Sequence, residues 1–341
     1  MKILFLINNL GVGGAEGVFK RDAEALANLG FQTEIYFLYP NNFKNLYDIR
    51  GYVTLIKKIR REKIDIVYST LDDANFVAKV VRIFTTFKLF CREANMTEDK
   101  SLKFKITDVI LNFLVHKLVM VAEAVKNSYA SYDPLHKNKM AVLYNGVAIP
   151  AVYRKARENI GLVKIIAVGS FTKKKGIEDL VLIFKDYIFP KNKNFMLQIV
   201  GDGPLFNSVS ERIKEYGLED KIKCPGALSK NVLEKFYLDS DIFVLTSKKE
   251  GCPNVLLEAG VYGLAPVCFS VGAVPEIIEN GISGIVVPKD DKKAFGEAIL
   301  SLMEDMKRIN KMGERARVRI ANNFSCDLHI KNLLKILDLD K

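Results

Sequence analysis

Two kinds of apolar pattern alternate along the chain. Short, nearly unbroken apolar runs recur from end to end, and between them lie segments in which apolar residues return every three or four positions. The runs in the first part are KILFLIN at 2–8, residues 32–38, IDIVYST at 64–70, residues 87–92, LVMVA at 118–122 and MAVLYNG at 140–146. Their length and their content of Val, Ile and Leu predict buried strands. The periodic segments predict helices: one carries Val18, Asp22, Ala25, Leu26 and Leu29 on a single face and stops at Gly30, and others lie at 53–61, 74–84, 102–116 and 123–131. A polar stretch at 150–162, with YRKARENIGL in it, interrupts the alternation. The pattern then restarts, with strands expected at 164–170, 195–200, 221–224, 241–247, 265–270 and 284–288. Helices are expected at 176–184, 205–216, 232–237, 255–262 and 275–279, and two or three more finish the chain.

Continuously apolar strands separated by helices mean parallel sheets covered on both faces. The fold class expected is therefore α/β, with two Rossmann-like, doubly wound domains. Residues 1–150 form the first and 160–324 the second, with a hinge in the polar stretch and a ligand cleft at the carboxyl ends of the strands. No period of 20–50 residues is visible, which excludes a solenoid.

Composition narrows the class. Of 341 residues, 49% are hydrophobic and 27% charged, the profile of a globular protein and not of a disordered one. The five cysteines, Cys91, Cys224, Cys252, Cys268 and Cys326, form no CxxC pair, so neither a disulfide framework nor a zinc site is expected. A reducing cytosol fits them best. The N-terminal apolar run is too short for a signal peptide. The longest apolar stretch, near 109–121, is broken by Asn112, His116 and Lys117 before it reaches the roughly 18 residues a membrane span needs. The net charge is +11, shared as +6 over residues 1–150 and +5 over the rest. Nucleic acid, an anionic membrane or a phosphorylated ligand could each answer it.

Two loops carry candidate chemistry. Gly11, Gly13 and Gly14 follow the first strand and open a helix, where small residues let a phosphate approach the backbone and the positive helix terminus. The spacing is not GxGxxG and the second strand lacks a terminal acidic residue, so a nicotinamide site fits poorly. The second loop is LTSKKEGCPNVLLEAGVYG, residues 245–263. Pro253 suits a first helical position. The N–H groups of Asn254, Val255 and Leu256 would then face an anion. Glu250 precedes that helix and Glu258 lies about one turn inside it. Two carboxylates repel phosphate, so they are better suited to hydroxyl groups on either side of it.

Taken in order, GGAE at 13–16, LYNGV at 143–147, VGSFTKKKG at 168–176, VGDGP at 200–204, EGCPNVLLEA at 250–259 and VGAVPEII with NGISGIVVP at 271–288 resemble the motif series of the retaining glycosyltransferases of family 4, which have the GT-B fold. The resemblance covers nearly the whole chain. It implies two Rossmann-like domains facing each other across a cleft. The first would bind the acceptor, the second a nucleotide-sugar, and a C-terminal helix at about 325–341 would pack back on the first. It implies that Glu258 binds the ribose hydroxyls of the donor, that Glu250 contacts the donor sugar and that Lys175 neutralises the diphosphate. Amides at Asn254, Val255 and Leu256 would hold that diphosphate, with Gly13, Gly14 and Gly201 beside it. The family's usual Arg is replaced here by Ser170. Its frequent His is absent near residues 91–95, which leaves Arg92, Glu93 and Asn95 as candidate acceptor contacts.

The resemblance further implies a UDP-sugar as substrate, a glycan or polyprenyl-diphosphate-linked acceptor, no metal or other cofactor, and no nucleic acid. It implies work in the cytoplasm, with KKIRREK at 57–63 and KSLKFKITDVI at 100–110 able to rest on an anionic membrane. His116, His136 and His329 are isolated, and Asp72–Asp73 read as a helix cap. Two other readings stay open: a sugar-nucleotide epimerase of the same fold, and a non-enzymatic binding protein.

Overall fold

The computed structural model describes residues 1–9, 14–158 and 161–340. These form two compact units, one of Met1–Gly146 together with the segment from Cys326 onward, the other of Val147–Ser325.

The first unit runs β1 (Lys2–Ile7), α1 (Gly14–Asn28), β2 (Gln32–Phe37), α2 (Ile49–Glu62), β3 (Ile66–Thr70), α3 (Asp72–Phe84), β4 (Lys88–Glu93), α4 (Leu102–Leu111), β5 (Lys117–Met120), α5 (Glu123–Ala130) and β6 (Met140–Val142). Among the described residues its strands form one parallel sheet in the order β2-β1-β3-β4-β5-β6. Every residue of β3 is buried, as a central strand covered on both faces requires. The core on one face gathers Phe5, Phe19 and Tyr68, with Leu333, Leu337 and Leu339 from the end of the chain. Phe5 meets Phe19 edge-on at 5.0 Å. The carboxylate of Asp338 accepts bonds from Lys117 at 2.8 Å and from Lys88 and His116, both at 2.9 Å. Those bonds hold its carboxyl well below the usual range.

Three boundaries differ from the sequence expectation, each for a local reason. α2 begins at Ile49 because Asp48 caps it, accepting from the Arg50 and Gly51 amides. α4 ends at Leu111, where the buried Asn112 turns its amide to Tyr129 at 2.9 Å and Asp133 at 2.7 Å. Asp72 and Asp73 do not cap α3. Leu71 holds that position, and the two aspartates are its first helical residues, where negative charge suits the helix dipole.

The second unit runs β7 (Val163–Val168), α6 (Ile177–Ile183), β8 (Phe195–Val200), α7 (Phe206–Glu215), β9 (Ile222–Gly226), α8 (Lys230–Leu238), β10 (Ile242–Leu245), α9 (Asn254–Val261), β11 (Ala265–Phe269), α10 (Val274–Ile277), β12 (Ile285–Val287), α11 (Lys292–Met303) and α12 (Met306–Asn323). α13 (Cys326–Ile336) belongs to the first unit. The sheet order is β12-β11-β10-β7-β8-β9, again parallel. Successive strands are added to one side of β7 as far as β9 and to its other side from β10 on, so the strand order switches between β7 and β10, the place where such sheets open a crevice at the carboxyl ends.

Part of the polar stretch read as a hinge is docked on this unit. The guanidinium groups of Arg154 and Arg157 reach Asp241 at 2.8 and 2.6 Å, and Asp241 is buried. Asn310 accepts from Arg154 at 3.0 Å and donates to the Arg157 carbonyl at 2.8 Å.

Candidate active site

The second unit assembles its candidate residues at the β7–β10 crevice. After β7 the chain makes a tight turn at Lys173–Lys175, closed by Gly176 at φ +64°. A Cβ on Gly176 would lie 2.1 Å from the Thr246 carbonyl oxygen, so only glycine lets this turn approach the loop after β10. The Thr246 hydroxyl donates to the Gly176 carbonyl at 2.9 Å, and the Lys248 amide to the Lys174 carbonyl at 2.8 Å. On the other side, a Cβ on Gly272 would stand 1.9 Å from the Glu250 carbonyl oxygen, and the Ala273 amide donates to Gly251 at 2.9 Å. The loop carrying Glu250 is thus held between two neighbouring strand ends.

These constraints bring Lys175 and Glu250 together across 75 positions of sequence. The Lys175 ammonium lies 2.6 Å from Glu250 Oε1, with the lysine side chain 23% exposed and the glutamate 8%. A second brace lies beside it: Asp179 meets Lys248 at 2.7 Å and Lys292 at 2.5 Å. Partial burial pushes the Asp179 carboxyl up, but the two ammonium groups more than offset this and hold it below its ordinary value.

α9 begins at Asn254, one residue after the first helical position that Pro253 suggested. Pro253 occupies the cap, with ψ 106°, and Asn254 is the first helical residue. A tight bond spanning three residues at the helix start takes one amide out of the expected row. The Leu256 N–H donates to the Pro253 carbonyl at 3.1 Å and Leu256 is fully buried, so it does not face a ligand. Asn254 and Val255 are half-buried at the helix start. Glu258 is half-buried one turn on and accepts a bond from the Tyr237 hydroxyl at 3.2 Å. Ser170 is exposed just beyond β7. Gly201, at φ +142°, lies against it at the end of β8, where a Cβ would meet the Gly169 carbonyl oxygen at 1.9 Å.

In the first unit, Gly13 lies outside the described residues, and Gly14 is the exposed first residue of α1. Arg92 and Glu93 are the last residues of β4 and are buried, not part of a surface loop. Arg92 donates to Asn145 at 2.6 Å. Glu93 accepts from Asn75 at 3.0 Å and from Lys100 at 2.9 Å. Burial pushes its carboxyl above the ordinary value. Lys100 also bonds Asp108 at 2.8 Å, and Asp108 meets Lys79 at 2.5 Å. Asn95 is exposed. The three histidines all sit in this unit, each against a carboxylate: His116 with Asp338, His136 with Asp133 and His329 with Asp22. Among the described residues no cluster of three or more His, Cys, Asp or Glu could hold a metal ion.

Two parallel, doubly wound units with this loop set define an α/β protein of the GT-B fold. Residues 153–319, which hold the whole second-unit constellation, match the family described as Glycosyl transferases group 1. The chain is similar to N-acetyl-alpha-D-glucosaminyl L-malate synthase of Bacillus anthracis, 31% identical over 160 residues, which are 47% of this chain and 41% of that one. It thus spans well under two thirds of that relative's length. It is also similar to the capsular polysaccharide biosynthesis glycosyltransferase CapM of Staphylococcus aureus, 25% identical over 304 residues, 82% of this chain and 78% of that one. Among solved structures, the Anabaena protein HepE in complex with UDP superposes with a TM-score of 0.82 at 18% identity, over 99% of this chain and 100% of that one.

The sequence reading missed Thr246 and Tyr237. Thr246 carries no signal beyond its place at a strand end. Tyr237 is legible only once α8 is known to lie beside α9.

Proposed function

We propose that the protein is a retaining glycosyltransferase of the family 4 type. It moves a sugar from a nucleotide-sugar, UDP-sugar first, to a hydroxyl of a glycan or polyprenyl-diphosphate-linked glycan in cell-surface polysaccharide assembly. The observation that carries this reading is the Lys175–Glu250 pair at the β7–β10 crevice, with Glu258 one helical turn beyond the α9 start. The family match of residues 153–319 supports it, as do the capsular polysaccharide biosynthesis role of the CapM relative and the UDP bound by HepE.

In this reading the sugar C–O bond to the diphosphate breaks, and negative charge grows on the departing nucleoside diphosphate. Lys175 stabilises that charge as it develops, together with the Asn254 and Val255 amides. Glu250, which already faces Lys175, holds the donor sugar, and Glu258 reads the ribose. Ser170, Gly201 and Gly14 border the diphosphate, and Gly13 belongs with them. A donor phosphate oxygen takes the proton of the attacking hydroxyl on the same face, which preserves the anomeric configuration. Asn95 is the direct acceptor contact. Glu93 supports it from beneath, because its carboxylate is engaged with Asn75 and Lys100. Arg92 lies beside it, bonded to Asn145 through one nitrogen while its Nε and Nη1 are buried without a hydrogen-bond partner among the described residues.

The first unit is the acceptor side. α4 exposes Leu102, Ile106 and Ile110, with Phe113 just past its end, on one stripe. Lys103 stands beside it, over the ring of the exposed Tyr47 at 4.5 Å. An apolar stripe with cations at its edge supports peripheral attachment to an anionic membrane from the cytoplasmic side. Among the described residues no helix is long and apolar enough to cross one.

The epimerase alternative needs acid–base groups beside the donor sugar. All three histidines belong to the first unit and pair with its carboxylates, so they lend that chemistry no support. The test is a thermal-shift screen of UDP-, GDP- and ADP-sugars, followed by a transfer assay. One nucleotide is expected to stabilise the protein selectively, and Glu258→Ala to remove most of that shift and of the transfer. Full activity in Glu258→Ala sinks the donor site, and an epimerised nucleotide-sugar with donor alone favours the rival.

A further inference from the structure

A tyrosine–glutamate bond and a pair of stacked tyrosine rings link α8 and α9. Tyr237 on α8 donates to Glu258 Oε2 on α9 at 3.2 Å. Burial first, and then the charge of Glu234 on α8, raise the phenol of Tyr262, which ends α9, to about 12. The two rings stack at 5.3 Å with an interplanar angle of 18°. Tyr237 is 2% exposed, so its ring is fixed by packing before any ligand arrives.

We propose that Tyr237 is a positioning residue that fixes the Glu258 carboxylate in the orientation that reads the donor ribose. This rests on the donor-site reading given above. A half-buried glutamate has three rotatable side-chain bonds, and each must be ordered before a bidentate contact to a diol can form. A hydroxyl held on a rigid, buried ring supplies that order in the unliganded protein, which lowers the cost of binding. One bond does not saturate the group, since a carboxylate has about four acceptor sites. Burial, first, and the neighbouring Glu258 charge raise the Tyr237 phenol well above its ordinary value. It therefore remains a donor at physiological pH. Tyr262 stacks on the same ring and feels a different glutamate, Glu234, most strongly, which separates positioning of Glu258 from simple bracing of two helices.

The experiment uses the full chain and measures the affinity of UDP against 2′-deoxy-UDP by calorimetry, with the GDP and ADP pairs in parallel. Tyr237→Phe keeps the ring, its burial and its stacking and removes only the hydroxyl. UDP affinity is expected to fall about tenfold, the order expected for a hydrogen bond to a charged group. The deoxynucleotide should change little, so the preference for ribose collapses. Donor KM should rise while kcat stays within about twofold. Tyr262→Phe should keep the preference. An unchanged preference in Tyr237→Phe overturns the inference, and so does equal loss in both variants. Glu258→Gln separates this from failure of the donor-site reading. If the preference survives Glu258→Gln, or the wild type shows none, Glu258 does not read the ribose and both fall. If Glu258→Gln abolishes it and Tyr237→Phe does not, only the positioning role is lost.

Discussion

In the first unit, Lys79 and Lys100 are shared among Asp108, Glu93 and Asp72. The Lys79 side chain is 1% exposed and that of Lys100 5%. Tyr132 adds a bond to Asp108 at 3.0 Å, and Asn75 one to Glu93. In the second unit, Lys175 meets Glu250 in a comparable pair, but the lysine side chain is 23% exposed and sits on a tight turn, not inside a helix layer. The residue types are alike in the two places. What differs is commitment. The first cluster spends its charges on itself and on the packing of α3 and α4, whereas the second keeps a cation at the rim of a crevice, where a phosphate can compete for it. A lysine–carboxylate pair marks a candidate site when its cation can be reached and exchanged, and marks scaffold when it cannot.

The sharpest break of that comparison is Asp108→Asn. It removes the carboxylate between two buried ammonium groups with little change of shape. Breaking a buried pair from one side costs about 3–5 kcal/mol, so the urea midpoint should fall markedly, while donor-nucleotide affinity in the protein that remains folded should not change. Burial alone would raise the Asp108 carboxyl, but Lys79 and Lys100 bring it down to about 2. A depressed carboxyl contributes stability above its unfolded value, near 3.8, and loses it as the pH falls toward about 2. The gap between wild type and Asp108→Asn should therefore narrow across that acid window. A gap that is constant with pH would mean that the cluster is not held together by charge.

Lys175→Ala is the mirror experiment. It should lower kcat/KM for transfer by about 100- to 1,000-fold, the range for loss of one electrostatic contact to a developing anion. It should destabilise the fold less than Asp108→Asn does, because its charge is already partly in water. Equal damage to stability and a small kinetic effect would place Lys175 with the scaffold cations.

The alternation of apolar runs and helical periods made the two parallel sheets legible, because strands covered on both faces have no polar side to hide. The candidate sites were legible unevenly. Glu250, Pro253 and Glu258 lie within one loop and helix, so their spacing carries geometry. Lys175 lies 75 residues away, and only the family resemblance joined it to them. Arg92 and Glu93 look like loop residues because polar side chains follow an apolar run. Their burial depends on Lys100, Asn75 and Asn145, and no periodicity links those positions. Leu256 was misjudged because the first turn of the helix is tightened: its amide, ordinarily free at that position, bonds the Pro253 carbonyl three residues back. Tyr237 gave no signal at all, since a tyrosine on a helix reads as core until its partner helix is known.

Ser170→Arg tests the comparison from the gentle side. Ser170 is exposed, its hydroxyl 3.5 Å from that of Thr172, at the β7 end of the turn that holds Lys175. An arginine there would stand in solvent and would not be tied into a carboxylate network like that of Lys79. If reachable charge is what the second-unit crevice uses, the added guanidinium should tighten nucleotide-diphosphate binding. The gain should be small, because exposed charge contacts contribute only about 0.2–1 kcal/mol, or roughly 1.4- to fivefold in donor KM. It should shrink as salt is raised, since exposed charges are screened. The same substitution should leave the urea midpoint almost unmoved. A large loss of donor affinity would mean that the rim at Ser170 is sterically closed and that the diphosphate lies elsewhere along the strand ends.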